Sequence, residues 1–335
     1  MITEDQVIQF SKQFVPEVIS AENLSGFHNH VFRINGRTGF ILRVSLISHR
    51  SSDDTMSEID FLRYLIDNGA TIAHPLQGLD GRFVYEFQQD NINSIVSAFS
   101  IAKGYDWLNR APDGDDPNRL HQVGRTIGKI HQLSKSFQPV GKKLRRQWYQ
   151  SQHLTQAEAV FQNSNPLLAS AYSTYVLAMN QLPKTKESFG LVHGDFLFSN
   201  YHADGDTIVV FDFDECEYSW YVYDIAVSMY YYLLGGDPSQ LPTKVKEAEE
   251  LLYSLLSGYL LETKLDRFWV ENINLFFQMR EFVLLSSILS QSSQPSEGWQ
   301  KTYIQGAINR QLYNKPFIEA DFISVYNRFP STMQQ

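Results

Sequence analysis

Two short acidic motifs that lie close together constrain this chain more than any other feature. The first is HGDFLFSN at residues 193–200, and the second is VFDFD at residues 210–214. Between them, Asp204-Gly205-Asp206 favours a tight turn, and TIVVF at residues 207–211 predicts a strand that ends at Asp212. A hairpin of this kind would bring both motifs into one compact unit.

The residue types in these motifs are those that phosphoryl transfer needs. A carboxylate must orient the attacking hydroxyl, and hard oxygen ligands must hold Mg²⁺ against nucleotide phosphates. Asp195 is the candidate for the first role, and Asn200 and Asp212 are the candidates for the second. The structural alternatives are a turn-capping Asp, a turn Asn and a strand-end Asp.

The two motifs resemble the catalytic and metal-binding loops of the aminoglycoside phosphotransferase and choline kinase-like family. The resemblance implies a protein kinase-like fold that uses ATP and Mg²⁺, and it is specific only near residues 190–225. The protein-kinase loop has Arg where this chain has Gly194, and its metal motif ends in Gly where this chain has Asp214. The resemblance also implies that His193 braces the loop and that Asp224 is a structural brace or helix cap.

The order of predicted elements is strand-rich first and helix-rich second. Strands flank the Asn35-Gly36 turn signal at 24–34 and 38–46, a helix covers 57–68, and strands follow at 83–86 and 94–101. Further helices are predicted at 119–133, 152–182 (one helix or two), 221–234, 245–261, 268–289 and 299–312. We therefore expect an α+β, bilobal kinase-like fold with a small N-terminal antiparallel sheet lobe and a larger, mainly helical C-terminal lobe. The predicted domains are a nucleotide-binding lobe, residues 1–103, and a catalytic and substrate-binding lobe, residues 104–335.

The nucleotide contacts are predicted from the resemblance. Arg43 stands where kinases usually carry a phosphate-binding Lys, and its implied partner is Glu58 on the following helix. Arg can clamp phosphate oxygens with a fork geometry instead of a point charge. Backbone groups around Ser100 to Ala102 are expected to bind adenine. The phosphate-covering segment at 24–31 has only one glycine.

The acceptor side is predicted from charge and aromatic residues. Between Lys186 and Lys244 the chain has no Lys or Arg but ten acidic residues. Such a stretch would attract Mg²⁺ and a cationic substrate, unless it is simply a solvated acidic surface. Candidate substrate residues are Asp214, Glu217, Trp220 and Tyr221, since aromatic faces with carboxylates suit an ammonium group.

Two groups of charged residues have a structural interpretation beside any functional one: Arg280 with Glu281, and the basic cluster at residues 142–146. Arg280 and Glu281 are either pocket residues or a buried ion pair. The basic cluster at residues 142–146 is predicted to be a solvated loop.

Composition excludes several classes of protein. The 335-residue chain has a net charge of −9, which argues against general nucleic-acid binding. No apolar run approaches the roughly 20 residues of a membrane helix. Cys216 is the only cysteine, so no intrachain disulfide can form. These features predict a cytoplasmic enzyme without membrane or nucleic-acid partners.

The sequence thus predicts an ATP- and Mg²⁺-dependent phosphotransferase. Its acceptor would be the hydroxyl of a small molecule, with an amine-bearing alcohol (aminoglycoside-, choline- or homoserine-like) as one class. Asp224 follows Asp212 by only twelve positions, which leaves no room for the long activation segment that docks peptides in protein kinases. The alternatives are a Ser/Thr protein kinase-like enzyme and a nucleotide-binding pseudokinase without turnover.

Overall fold

The computed structural model describes residues 2–24, 29–48, 50–89, 92–106, 117–140, 144–291 and 298–334. Its contacts divide the chain into two compact units. The first consists of Met1–Asp106, Ser136–Arg145 and Tyr201–Asp214, and the second of Trp107–Lys135, Arg146–Asn200 and Glu215–Gln335. Two later segments therefore pack with the N-terminal region. The predicted domain limits, 1–103 and 104–335, stay a prediction, because a compact unit need not coincide with a functional domain.

A five-stranded antiparallel sheet forms the centre of the first unit, in the order β1-β2-β3-β5-β4. The strands are β1 (Ser20–Asn23), β2 (His30–Asn35), β3 (Phe40–Leu46), β4 (Val84–Gln89) and β5 (Ile92–Phe99). The predicted hairpin around Asn35-Gly36 is confirmed, because β2 pairs with β3. The strand predicted at 24–34 begins later than expected, at His30, and residues 25–28 lie outside the described residues.

Two helices accompany this sheet, and each begins at a side-chain cap. Helix α1 (Glu4–Ser11) is capped by Thr3, and α2 (Ser52–Asp67) by Ser51, both in reciprocal capping boxes. Such a cap stabilises a helix by about 1 kcal/mol. The prediction had placed the start of α2 at Ser57, because the first turn of this helix carries polar residues and little of the apolar periodicity.

The core of the first unit follows from the alternation of side chains along β3. Phe40, Leu42 and Val44 are at most 1% exposed and pack against Phe10 and Phe14 from the α1 region. Successive strand residues point to opposite faces of a sheet. Arg43 therefore projects from the other face, although it too is buried.

A three-stranded sheet completes the first unit, in the order β6-β8-β9. It contains β6 (Tyr105–Asp106), β8 (Tyr201–Asp204) and β9 (Thr207–Val210). The predicted hairpin between the acidic motifs is confirmed: β8 and β9 pair antiparallel, and Gly205 takes a positive φ of 60° in the turn. This hairpin places Asp212 two residues beyond the end of β9.

The second unit is mainly helical, which confirms the predicted α+β class. It also contains one strand pair, β7 (Phe189–Val192) with β10 (Glu217–Trp220), which the sequence did not predict. The helices are α3 (Pro117–Ser134), α4 (Gln152–Ser164), α5 (Pro166–Asn180), α6 (Val222–Leu234), α7 (Val245–Glu262), α8 (Arg267–Glu271), α9 (Ile273–Gln291), α10 (Trp299–Leu312), α11 (Phe322–Tyr326) and α12 (Ser331–Gln334).

Helices α3 and α7 approach each other through glycines. A Cβ atom on Gly124 would lie 1.8 Å from the carbonyl oxygen of Leu255, and one on Gly258 would lie 1.8 Å from that of His121. Such distances leave no room for a side chain, so the two backbones are in contact. This packing fixes α3, which carries His131, a contact of the buried Asp224 carboxylate. Among the described residues, no helix is long and apolar enough to span a membrane.

Candidate active site

The loop at residues 193–200 leads from β7 to β8 and has a sharp bend at its second residue. Gly194 has a φ of 79°, and a Cβ atom there would lie 2.6 Å from the carbonyl oxygen of Glu215. An L-residue side chain would be both strained and obstructed at this position. The glycine that stands where protein kinases have Arg is therefore required by the local backbone.

The buried carboxylate of Asp224 holds this bend in place. It accepts the backbone N–H of His193 (2.8 Å) and of Gly194 (2.8 Å), one on each oxygen. The imidazole of His131 lies 3.0 Å from the same carboxylate and 3.1 Å from the Tyr259 hydroxyl. The predicted bracing role of Asp224 agrees with these contacts.

The protonation of this brace follows from burial and hydrogen bonding. Burial raises the pKa of Asp224, but the bonds from His131 and His193 outweigh it, so the pKa is lowered overall. Burial lowers the pKa of His131 below its ordinary 6.5, against the opposing effect of Asp224. The folded protein therefore favours an ionised Asp224 and a neutral His131 at neutral pH.

Stability is therefore expected to fall as the pH drops from 7 towards 5. His131 has a lower pKa in the folded than in the unfolded chain, so below about 6.5 the unfolded state takes up the proton more readily. The pKa of Asp224 is also lower in the folded chain, so protonation of this carboxylate causes a further loss of stability as the pH falls towards its folded pKa. Urea denaturation across this range measures the slope. His131→Gln should flatten it, and His74→Gln, at an exposed site, should not; a slope that His131→Gln leaves unchanged would contradict this assignment.

Asp195 and Asn200 lie side by side on the braced loop. The Asn200 amide nitrogen donates to the backbone carbonyl of Asp195 (2.9 Å) and to its Oδ2 (3.2 Å). The Asp195 N–H faces His193 Nδ1 at 3.3 Å, which is the brace that the resemblance implied for this histidine. Because the nitrogen is engaged with Asp195, the amide oxygen of Asn200 is its remaining acceptor, and Ser199 Oγ lies 3.5 Å from it.

An arginine of α9 contacts the other oxygen of Asp195. The Arg280 guanidinium pairs with Asp195 Oδ1, and it donates from Nε (3.0 Å) and Nη2 (2.7 Å) to the Tyr231 hydroxyl. Its side chain is only 11% exposed. The sequence had offered Arg280 as a pocket residue or as the partner of Glu281. Glu281 instead bonds Arg310 and Gln311, since neighbouring residues on a helix point in different directions.

In the first unit, Arg43 forms the ion pair that the sequence predicted. Its Nη1 and Nη2 bond the two oxygens of Glu58 at 3.0 and 2.7 Å, and the guanidinium lies over Phe99, 4.7 Å from the ring centre. Burial lowers the pKa of Arg43, but the negative charges of Glu58, Asp214 and Asp212 together raise it by more. The pKa is therefore raised overall, and the guanidinium stays charged. Its Nε is buried and has no hydrogen-bond partner among the described residues.

Arg43→Lys is expected to raise the KM for ATP about tenfold, the effect of losing one charge-assisted hydrogen bond of about 1.5 kcal/mol. Lysine keeps the charge but cannot form the fork that engages both Glu58 oxygens. Urea denaturation should also show a loss of about 1–3 kcal/mol. Arg33→Lys, on the neighbouring strand β2 and exposed, is the matched control. Equal KM values in the two variants would contradict a nucleotide role for Arg43.

Asp212 combines an uncommon backbone conformation with an exposed side chain. Its φ is 63°, a left-handed conformation that costs a non-glycine residue roughly 1–3 kcal/mol. Its side chain is 48% exposed, with Arg43 Nη1 4.0 Å away. The next residue, Phe213, is buried and makes an edge contact with Phe61 of α2. The buried ring anchors the segment while the neighbouring carboxylate reaches solvent.

Asp214 is part of a buried charge cluster. Its carboxylate contacts Arg43 (3.6 Å), Arg50 (2.5 Å) and Asn29 (2.8 Å), and its carbonyl accepts a bond from Arg145 (2.6 Å). Arg145 is only 5% exposed. The prediction of a solvated loop was therefore wrong for Arg145, because the pattern of a basic cluster does not reveal a partner far away in sequence.

The four predicted substrate residues are all buried. Besides Asp214, Glu217 is 3% exposed and pairs with Arg146 at 3.2 Å. Trp220 donates to the carbonyl of Pro183, and Tyr221 packs on His131. These contacts favour charge pairing and core packing, and a substrate role for the four stays a prediction.

The acidic stretch at residues 187–237 is largely compensated in space. Basic residues from other segments pair with its members: Lys135 with Glu187, Arg280 with Asp195, Arg43 and Arg50 with Asp214, and Arg146 with both Glu215 and Glu217. The expected strong negative field is therefore reduced. Net charge along a sequence does not account for partners that the fold brings in.

The two residues predicted to bind adenine are engaged within the first unit. The Ser100 N–H donates to the carbonyl of His74 (2.8 Å), and its hydroxyl accepts the N–H of the same residue (2.9 Å). The Ala102 carbonyl lies 3.2 Å from His202 Nδ1. An adenine contact by this segment stays a prediction.

The donor types at Asn200 and Asp212 suit a hard divalent cation. One amide oxygen and one carboxylate provide the kind of ligands that Mg²⁺ takes from a protein when phosphates and waters complete its shell. The described residues contain no group of three or more His, Cys, Asp or Glu placed to hold a metal.

Comparison with known proteins identifies the class to which this loop and fold belong. The profile of the phosphotransferase enzyme family matches residues 21–258. Amicoumacin kinase of Bacillus subtilis (strain 168) is 27% identical over 319 residues, which cover 93% of this chain and 91% of that protein.

Two solved structures share the fold. Amicoumacin kinase hAmiN, in complex with AMP-PNP, Ca²⁺ and Ami, superposes with a TM-score of 0.87, 22% identity and 97% coverage of both chains. A microcompartment-associated aminopropanol kinase superposes with a TM-score of 0.69 and 19% identity over 92% of this chain and 97% of that chain.

The chain belongs to the phosphotransferase enzyme family. The kinase-like fold and the family expected from the acidic motifs are thereby confirmed. The protein is an ATP-dependent phosphotransferase with an alcohol group of a small molecule as acceptor.

Proposed function

We propose that this enzyme phosphorylates a hydroxyl of an amicoumacin-like small molecule, with Asp195 orienting that hydroxyl. The observation that carries the proposal is the braced loop, in which Asn200 holds one oxygen of Asp195 and Asp224 holds the bend before it. The 27% identity with amicoumacin kinase over nearly the whole chain supports this acceptor class.

In the proposed reaction, the acceptor oxygen bonds to the γ-phosphorus of ATP while the bond to the β,γ-bridging oxygen breaks. Asp195 accepts the hydroxyl proton as the new bond forms, ADP leaves, and the proton passes to solvent. Arg43 steadies phosphate oxygens through the edge of its guanidinium that Glu58 does not occupy. Glu58 keeps this guanidinium in a fixed plane.

Asn200 and Asp212 are proposed to hold the metal ion, with Mg²⁺ as the physiological one. When bound, the ion would neutralise charge on the β- and γ-phosphates. The exposed carboxylate of Asp212 and the oriented amide of Asn200 support this assignment. The cytoplasmic location expected from the sequence belongs to the same proposal.

Two other functions remain as alternatives. A Ser/Thr protein kinase-like enzyme would use the same loop, but the chain passes directly from Asp212 through β10 into α6. A pseudokinase would bind nucleotide without turnover. The braced Asp195 and Asn200 favour catalysis over the pseudokinase, since a binding protein needs neither group in this orientation.

ADP release with a panel of acceptors tests the proposal. Amicoumacin, 1-amino-2-propanol, choline, homoserine and a kanamycin-type aminoglycoside should be compared with a Ser/Thr peptide, each with Mg²⁺, with Ca²⁺ and with chelator. We expect acceptor-dependent ADP release with amicoumacin and Mg²⁺, lost with chelator. Release stimulated only by the peptide would favour the protein kinase, and nucleotide binding without release under any condition would favour the pseudokinase.

A further inference from the structure

The contacts of Arg280 bear on which hydroxyls can reach Asp195. Its guanidinium pairs with Asp195 Oδ1, and Asn200 bonds Oδ2 of the same carboxylate at 3.2 Å. A hydroxyl that donates to Asp195 must therefore come close to a fixed positive charge. The carboxylate and the guanidinium together form a neutral pair instead of an isolated anion.

Arg280 is rigidly held in this position. Tyr231 accepts two of its N–H donors at 3.0 and 2.7 Å, and the guanidinium also lies over the Tyr231 ring, 4.8 Å from its centre. Burial raises the pKa of Tyr231, so this phenol is neutral and adds no negative charge. Tyr223, whose pKa burial also raises, is a second neutral phenol beside the guanidinium. Asp195 is thus the anion that balances Arg280.

We propose that Arg280 is a specificity-determining and positioning residue. It excludes acceptors that carry an ammonium group on the carbon bonded to the one that bears the reacting hydroxyl. It occupies the side of Asp195 where such an ammonium would form an ion pair, and it repels the cation at short range. Acceptors in which that neighbouring carbon is the carbonyl carbon of an amide or similar group are favoured, because the carbonyl oxygen directs partial negative charge towards the guanidinium. An amine elsewhere in the acceptor, several bonds away, is compatible with this arrangement.

This inference rests on the proposed function and refines its acceptor class. Two probes test it, lactamide and 1-amino-2-propanol, which have the same secondary hydroxyl on a three-carbon skeleton and differ in the neighbouring group. Transfer of labelled γ-phosphate from ATP gives kcat/KM for each probe. The wild-type enzyme should prefer lactamide at least tenfold.

Four variants separate the charge of Arg280 from its structural contribution. In Arg280→Gln the preference should shift at least tenfold towards 1-amino-2-propanol, while kcat falls with both probes. Arg280→Lys should keep the wild-type preference for lactamide. Its kcat should lie between those of the wild type and Arg280→Gln, since one ammonium cannot hold Asp195 and Tyr231 together. Tyr231→Phe should lower kcat and keep the preference. Arg310→Gln, which removes the buried guanidinium beside Glu281, should also keep it.

The outcomes distinguish this inference from the proposed function. Transfer by the wild type with a preference for 1-amino-2-propanol would overturn the inference and leave the function intact. So would an unchanged ratio of the two kcat/KM values in Arg280→Gln. Absence of transfer by the wild type to both probes and to amicoumacin would overturn the proposed function, and this inference with it.

Discussion

Asp195→Asn should lower kcat for the acceptor by about 10²- to 10⁴-fold, the usual contribution of a positioned general base. The substitution removes the negative charge and the ability to accept a proton but keeps the size of the side chain. The KM for ATP should change little, because Asp195 is assigned to the acceptor hydroxyl. Steady-state kinetics with amicoumacin as acceptor measures both values.

The control for this experiment is Asp204→Asn. Asp204 ends β8 and is exposed at the β8–β9 turn, a few residues along the chain from the same loop. It should retain full activity. A kcat for Asp195→Asn within threefold of that of Asp204→Asn would mean that another group takes the proton.

Asp224→Asn should destabilise the protein by about 1–3 kcal/mol, the cost of leaving a buried hydrogen-bonding group without its partner. The amide has only one oxygen, so one of the two backbone N–H groups at His193 and Gly194 would face an NH₂ donor instead of an acceptor. We also expect a fall in kcat, since the bend before Asp195 loses an anchor. Urea denaturation and kinetics on the same preparation give both quantities.

Asp237→Asn is the matched control for the brace. Asp237 caps the turn at Pro238–Thr243 through the Ser239 N–H, and Asn caps as well as Asp. Its stability should change by less than about 0.5 kcal/mol. A loss of less than 1 kcal/mol in Asp224→Asn would contradict the role of this carboxylate in holding the loop.

The parts of the fold that sequence predicted were those with local signals. The Asn35-Gly36 turn, the Asp204-Gly205-Asp206 turn and the apolar periodicity of α2 and α3 each act within a few residues, and the structure confirms them. Strand β1 (Ser20–Asn23) was missed because its residues are polar and its pairing with β2 is specified elsewhere. Strands β7 and β10 were missed for a related reason, since they are short and pair over a long sequence separation.

Helix breaks were predicted less well than helix locations. The 152–182 segment is two helices because Asn165 caps a new helix that begins at Pro166. The 268–289 segment is interrupted at Asn272, whose side-chain amide bonds back to the carbonyl of Phe268. Neither the apolar pattern nor the helix propensity changes much at the second of these sites.

The candidate site shows the same division between local and distant information. Asp195, Asn200 and Asp212 could be selected from their spacing, and the Arg43–Glu58 pair from the resemblance. The contacts of Arg280 with Asp195 and of Arg145 with Asp214 could not, because they join residues 85 and 69 positions apart. Long-range ion pairs such as Arg280 with Asp195 offset much of the charge of the acidic stretch, so the net charge along the sequence does not give the field at the site.

The most direct measurement follows the γ-phosphate of ATP itself. Amicoumacin is incubated with γ-labelled ATP, Mg²⁺ and either wild-type protein or Asp195→Asn, and the products are separated and identified by mass. The account predicts labelled, singly phosphorylated amicoumacin with the wild type and at most about one hundredth as much with the variant. Label that stays in ATP or appears only as inorganic phosphate with the wild type, or equal transfer by both proteins, would contradict it.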